Sequence, residues 1–338
     1  MSKSFTVAVV GGGAAGFFAA INVKHHFPSS KVVILEKTTK VLAKVKISGG
    51  GRCNVTNACF DLNELSKKYP RGERQLRKAF SQFDANSTIA WFESRDVALK
   101  TYPDNCIFPE ANSSQVIIDC LMNEVKKNGI SVRLNAGVRK MKKQENGFRL
   151  FFDASEEYFD KVIVTTGGQP KISGLNWLEE LGLSIVPPVP SLFTFNMPGN
   201  SICELMGNVV ENTVVKIEGT KLEGKGPLLV THWGMSGPAI LQLSAWGARI
   251  LEEKAYNFRI FVNWLNGKPE AEFRNDLMKI QTSNSDKMLQ NANPFPITSK
   301  LWMFLLNKHG ISPQIRWKEL AGKSLNKLVT ALLFDVYP

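Results

Sequence analysis

An α/β fold is the class this sequence predicts, and three observations predict it. A short β-rich run, Phe5 to Val10, breaks at Gly11-Gly12-Gly13. The residues from Ala14 to about Val23 have helix-forming composition, and Lys31-Val-Val-Ile-Leu35 is a second apolar run. Continuous apolar strands on either side of a crossover helix are what a parallel sheet covered on both faces requires.

The later elements follow in order. Ser114 to Lys127 places Val116, Ile117, Cys120, Leu121 and Val125 at helical spacing, and Asn128-Gly129 ends it. Ile130 to Leu134 reads as a strand, and Gly147 to Phe152 and Tyr158 to Thr166 continue as β structure. The prolines of Val186-Pro-Pro-Val-Pro190 mark a linker, and hence a first domain over residues 1–190. Beyond it, Asn212 to Ile217 and Phe258 to Trp264 alternate as strands do, while Leu277 to Ile280 and Lys300 to Lys308 are helical in pattern. No internal repeat is visible.

The length of 338 residues suits about two domains, and 43% hydrophobic with 21% charged residues excludes disordered and low-complexity classes. The net charge of +12 suits an anionic ligand, a nucleic acid or an acidic membrane. The lysines are scattered, however, with no block of five or six like charges, which argues against nucleic acid as a partner. Five cysteines, Cys53, Cys59, Cys106, Cys120 and Cys203, show no CxxC spacing. Disulfide frameworks and zinc knuckles are therefore not expected, no metal site is, and a reducing cytoplasmic setting is. No apolar stretch has the length of a membrane span.

Gly11-Gly-Gly-Ala14-Ala15-Gly16 fits G-x-G-x-x-G at a strand end and a helix start. Gly11 permits the tight turn, Gly13 lets backbone approach a pyrophosphate, and Gly16 lets the helix pack on the sheet. The helix amino terminus offers free N–H groups to the anion. Glu36 closes the second strand at the offset where an acid accepts from a ribose diol, and its charge repels a 2′-phosphate. The nucleotide is then FAD or NAD. A second signal is Lys46-Ile-Ser48-Gly-Gly50-Gly51-Arg52-Cys-Asn54-Val-Thr-Asn57, a donor-rich loop able to lie against a phosphate or planar ring, with Arg52 balancing charge. A third is Lys161-Val-Ile-Val-Thr165-Thr166-Gly167-Gly168, a strand ending in small residues. Cys53 has no partner at CxxC distance and reads as a small packed residue.

These residues resemble the BaiN and aminoacetone-oxidase type of flavoproteins, within the glutathione-reductase-like group. The matching pieces are Gly11–Gly16, Glu36-Lys37, Ile47–Asn57, Thr166–Gly168 and Thr231-His-Trp-Gly-Met-Ser-Gly-Pro-Ala239. The resemblance implies FAD, with the pyrophosphate on Gly11, Gly13, Ala14, Ala15 and Gly16, and the adenosine ribose at Glu36 and Lys37. It places Ser48, Gly50, Gly51, Arg52 and Asn54 near the ribityl chain and flavin, with Thr166 and Gly167 beside them, and Val138 at the adenine. It further implies a Rossmann-like FAD domain with an inserted domain over 191–338, a β-barrel to about 265 and a helical subdomain over about 266–330. Relatives of this type return to the FAD domain through a segment with Gly-Glu and Gly-Gly-Tyr-Asn patterns. This chain reaches Phe334–Pro338 before any such segment, so it is expected to be either a piece of a longer protein or one lacking part of the cofactor site, and to bind FAD weakly or not at all as it stands.

Ser236 suits the N-cap and Pro238 an early helical position at the start of a helix expected over Ala239 to Ile250. His232 is a candidate proton donor or acceptor, although a histidine that only bonds within a turn is the commoner case. The expected function is an FAD-dependent oxidoreductase acting on a small organic substrate. The alternatives are an FAD-dependent RNA-modifying enzyme and a non-catalytic nucleotide-binding protein.

Overall fold

The computed structural model describes residues 4–169 and 171–338, and the chain divides into two compact units, Met1–Pro188 and Val189–Pro338. In the first unit, β1 (Thr6–Val10), α1 (Ala14–His26) and β2 (Lys31–Leu35) lead to the short helix α2 (Ala43–Ile47). β3 (Thr56–Asn57) is followed by three helices, α3 (Leu62–Lys67), α4 (Glu73–Phe80) and α5 (Ala85–Glu93). Then come β4 (Leu99–Thr101), β5 (Cys106–Pro109), α6 (Ser114–Lys127) and β6 (Ser131–Arg133). The unit ends with β7 (Lys140–Gln144), β8 (Gly147–Phe151), β9 (Glu156–Phe159), β10 (Lys161–Val164) and α7 (Asn176–Glu179).

The central sheet is parallel, in the order β10-β1-β2-β6, with Val10 beside both Leu35 and Val164. Its two central strands, β1 and β2, are apolar after their first residue because both faces are covered. Val7 and Val9 of β1 meet Phe17, Ile21, Ile117 and Leu121 of α1 and α6, while Ala8 and Val10 meet Met141, Leu150 and Phe159. The second cover is the antiparallel meander β7-β8-β9. Each fully buried side chain of this size contributes about 1.5–3 kcal/mol. The run Tyr158–Thr166, expected as continuous β structure, therefore divides at Asp160. β9 belongs to the meander and β10 to the central sheet, and the Asp160 carboxylate accepts from both the N–H and the hydroxyl of Thr6 at 2.7 Å. A third small sheet has the order β3-β5-β4.

In the second unit, β11 (Phe195–Asn196), β12 (Val209–Ile217), β13 (Glu223–Thr231) and β14 (Gly234–Ser236) precede α8 (Pro238–Glu253) and β15 (Ile260–Asn263). Then follow α9 (Glu270–Ser283), α10 (Ser299–Lys308), α11 (Gly322–Leu333) and β16 (Asp335–Tyr337). The strands make one curled antiparallel sheet, in the order β11-β14-β13-β12-β15-β16. Among the described residues β11 and β16 do not pair with each other, so the expected barrel is an open curl. Trp264, Trp302 and Trp317 are fully buried in its core. Each indole N–H finds an acceptor, respectively Asp335, Leu289 O and Ala292 O, as buried tryptophan requires. Pro238 opens α8 as expected, but the N-cap is Gly237. Ser236 is paired to Leu229 across the β13–β14 ladder, which leaves it outside the helix.

Candidate functional site

The carboxyl end of β1 lies where the sheet order turns, with β2 on one side and β10 on the other, the place where open α/β sheets bind ligands. Two glycines there admit no side chain. A Cβ on Gly11, at φ +118°, would lie 2.4 Å from Thr165 O, and one on Gly16 would lie 2.0 Å from Gly11 O. The Thr165 hydroxyl donates to Val10 O and Gly11 O at 3.0 and 3.1 Å, tying β10 to this turn. Around Gly13 the space is open to 4 Å. Gly13, Ala14 and Ala15 are exposed, and the first turn of α1 carries no acidic residue. Its unpaired N–H groups and positive dipole end face solvent, ready for an anion.

Glu36 directly follows β2, beside that turn. One carboxylate oxygen accepts from the Gly12 N–H at 2.8 Å, and the other from the Thr38 N–H and hydroxyl, both at 2.9 Å. Burial raises its pKa, yet the hydrogen bonds from Gly12 and Thr38, with the Lys37 charge, outweigh burial and hold it below its ordinary value. It is an oriented, ionised acceptor. A cavity of about 280 Å³ adjoins it, lined by Gly11, Glu36, Lys37, Val138, Thr166 and Trp177 among others. Of the residues expected at the cofactor, Gly11, Glu36, Lys37, Val138 and Thr166 thus share one cavity. A glycine turn too tight for side chains, an open space at Gly13, free helix N–H groups and a fixed carboxylate fit the adenosine and pyrophosphate part of FAD.

The loop Ser48–Asn54 does not line this cavity. Gly49, Gly50 and Gly51 all have positive φ, and Cys53 joins them at φ 63° while packing in the core beside α2 and α5. The Ser48 hydroxyl donates to Val45 O at 2.8 Å. Asn54 and Asn57 approach the Cys106 thiol, whose pKa rises through burial and the neighbouring Asp104. The Arg52 guanidinium lies 4.4 Å from the Phe108 ring centroid and 5.9 Å from that of Tyr102. Aromatic stacking fixes its place. Gly167 has φ +74°, with the Lys44 ammonium 3.8 Å from where its Cβ would stand.

His232 sits in the second unit, at the exposed two-residue tip between β13 and β14, edge-on to Trp233 with ring centroids 4.2 Å apart. The glycines of that motif have structural duties. Cβ atoms on Gly234 and Gly237 would lie 2.1 Å from Phe195 O and 2.6 Å from Pro227 O.

Sequence reasoning passed over Thr165, Trp177 and the Tyr102–Phe108 pair. Thr165 stood inside a quoted motif. The other three carry no local signature, since they become neighbours of the site only through sheet pairing and packing. Among the described residues no group of His, Cys, Asp and Glu is arranged to hold a metal, and no helix is long and apolar enough to cross a membrane.

Residues 5–334 match the family described as HI0933-like protein Rossmann domain. The ribosomal RNA dihydrouridine synthase of Escherichia coli (strain K12) is 26% identical, over 98% of this chain and 80% of that protein. The 3-dehydro-bile acid delta(4,6)-reductase of Clostridium scindens is also 26% identical, over 79% of this chain and 65% of its own length. A Haemophilus influenzae ribosomal RNA dihydrouridine synthase aligns at 26% over 72% and 62%. The chain thus spans under two thirds of the latter two. Among solved structures, the open form of a flavocytochrome c3 fumarate reductase superposes with TM-score 0.43 at 19% identity, over 62% of this chain and 47% of that one. The chain belongs to the HI0933-like Rossmann-domain family, whose members are FAD-binding oxidoreductases.

Proposed function

We propose that this protein is an FAD-dependent reductase of a carbon–carbon double bond conjugated to a carbonyl. The observation that carries the reading is the turn where Gly11, Gly16 and Thr165 close on one another beside the oriented Glu36 carboxylate. When bound, FAD supplies two-electron chemistry. The chain's part is to grip the diphosphate with the α1 amino terminus, to hold the ribose at Glu36, and to keep a fixed cation, Arg52, at the glycine loop. Two relatives with different substrates support the bond class. A dihydrouridine synthase saturates a uracil double bond, and a delta(4,6)-reductase acts on a conjugated steroid.

A free small molecule is the first reading of the substrate. A uracil base within RNA is the second, favoured by two relatives named for ribosomal RNA. The expectation against nucleic acid finds no support among those relatives. The test is anaerobic incubation of the flavin-loaded protein with NADH or NADPH and either a cyclic enone or a uridine-containing RNA. Gain of two hydrogens by one acceptor, read by mass spectrometry, is expected. Flavin that is reduced yet passes electrons to neither acceptor overturns the reading.

A further inference from the structure

The hairpin of α3 and α4 takes no part in the dinucleotide site. Between residues 67 and 78, six of twelve side chains are basic (Lys67, Lys68, Arg71, Arg74, Arg77, Lys78) against one acid, Glu73. All six are exposed. α4 buries none of its residues; Leu76 and Phe80 are half-buried, and the Phe80 ring meets Tyr69 with centroids 5.5 Å apart. Lys67 pairs with Glu64 and Arg77 with Glu73. Among the described residues, no carboxylate lies within ion-pair distance of Lys68, Arg74 or Lys78. Arg74 and Lys78 stand four residues apart on one helix, a spacing at which like charges repel. Some cations elsewhere are neutralised. In the second unit Lys225 pairs with Glu223, Lys268 with Asp276 and Lys318 with Asp286. Residues 1–188 hold 26 Lys and Arg against 18 Asp and Glu, and residues 189–338 hold 16 against 12.

We propose that the α3–α4 hairpin is a docking surface for the phosphate backbone of structured RNA. The inference rests on the reductase reading for what the docked RNA would present to the flavin, and it deepens the RNA branch of that reading. A basic hairpin with Lys68, Arg74 and Lys78 outside ion pairs and a 41% exposed tyrosine, Tyr69, suits phosphates and a stacked unpaired base. A membrane-surface helix needs a broad apolar face, and the apolar residues of α4, Leu76 and Phe80, are half-buried rather than presented to solvent. The hairpin begins ten residues after Arg52 of the glycine loop, joined to it through β3.

The experiment is fluorescence anisotropy of a labelled RNA stem-loop across a salt series, using the flavin-loaded chain. Each lost phosphate contact removes about 0.7–0.9 from the slope of log affinity against log salt. The triple variant Lys68→Gln/Arg74→Gln/Lys78→Gln should therefore lose about 2–3 from the slope and bind at least about tenfold more weakly near 0.1 M salt. Lys221→Gln/Lys300→Gln/Lys323→Gln removes the same charge from exposed positions of the second unit and should change affinity less than about threefold. Equal losses in the two triples would assign binding to net charge and overturn the proposal. Wild-type chain that binds phosphatidylglycerol vesicles and not RNA would overturn it too. Flavin content and melting temperature are read in parallel, and the single variants Arg74→Gln and Lys78→Gln replace the triple if it fails to fold. A hairpin variant that keeps FAD, fold and RNA affinity sinks the docking surface and leaves the reductase reading intact. Loss of RNA binding without reduction of any acceptor does the reverse.

Discussion

The two units solve opposite problems. In the first, the parts that matter are backbone: glycines without room for a Cβ, helix N–H groups left unpaired, and a carboxylate held by amides. In the second, side chains fill the interior, and a charged knot closes it. Asp335, fully buried, accepts from the Lys308 ammonium at 2.6 Å, His309 at 2.9 Å and the Trp264 indole at 3.2 Å. Lys308 also lies 3.4 Å from the Tyr337 ring centroid. Burial lowers the Lys308 pKa, against the pull of Asp335. One unit keeps polar groups free for a ligand, and the other pairs its buried charges and indoles internally while the buried Tyr337 hydroxyl finds no hydrogen-bond partner among the described residues. Substitutions should accordingly separate ligand affinity from stability.

The largest effect is expected at the knot. Asp335→Ala leaves Lys308 without its counter-charge and should cost about 3 kcal/mol, the low end for a broken buried pair because Lys308 keeps 26% of its side chain exposed. Chemical denaturation monitored by tryptophan fluorescence reads this, and a loss under about 1 kcal/mol would show that the knot is slack. Next are two glycines three residues apart. Gly16→Ala forces a Cβ against Gly11 O and should cost about 1–3 kcal/mol of stability. Gly13→Ala meets nothing within 4 Å, so the apo protein should lose at most about 1 kcal/mol, from a poorer N-cap, while FAD affinity falls at least tenfold. Equal stability losses at the two positions would break the distinction between turn and ligand glycines.

Glu36→Ala strips the Gly12 and Thr38 donors of their acceptor and should cost about 1–3 kcal/mol of stability, while weakening FAD by about 10–100-fold, the equivalent of one charge-assisted hydrogen bond of about 1.5–3 kcal/mol. Fluorescence titration with FAD measures it, and unchanged affinity removes Glu36 from the site. The smallest effect is in pH. Because the folded Glu36 pKa is depressed, its contribution is complete above the ordinary glutamate range and drains away as pH falls through the lower folded value. Wild-type FAD affinity should decline only as pH falls below the ordinary glutamate range, and in Glu36→Gln that decline should vanish.

Much of the first unit was legible. β2 runs from Lys31 to Leu35 and α6 from Ser114 to Lys127, as periodicity predicted, because each is a short segment whose pattern matches one period. The region from Leu62 to Pro109 was not read at all. Its helices are short, α4 lacks a buried face, and β3, β4 and β5 are two to four residues long. Such segments hold no pattern beyond their contacts. The basic cluster over 67–78 escaped for a related reason: Tyr69, Gly72 and Glu73 interrupt it, so it forms no run of like charge.

The sequence by itself determined the glycine turn at the end of β1. A glycine needed for want of space, and an acid one strand away, are demands of local geometry and therefore local signals. Only the tertiary structure decided that Val138, Thr166 and Trp177 share a cavity with Glu36. It alone decided that Arg52 stacks on Phe108, that Tyr158 and Lys161 belong to different sheets, and that Asp335 finds Lys308, His309 and Trp264. The residues brought together lie 26 to 141 residues apart along the chain. Sheet pairing and core packing bring them together, and neither leaves a mark within the window over which hydrophobic periodicity can be read.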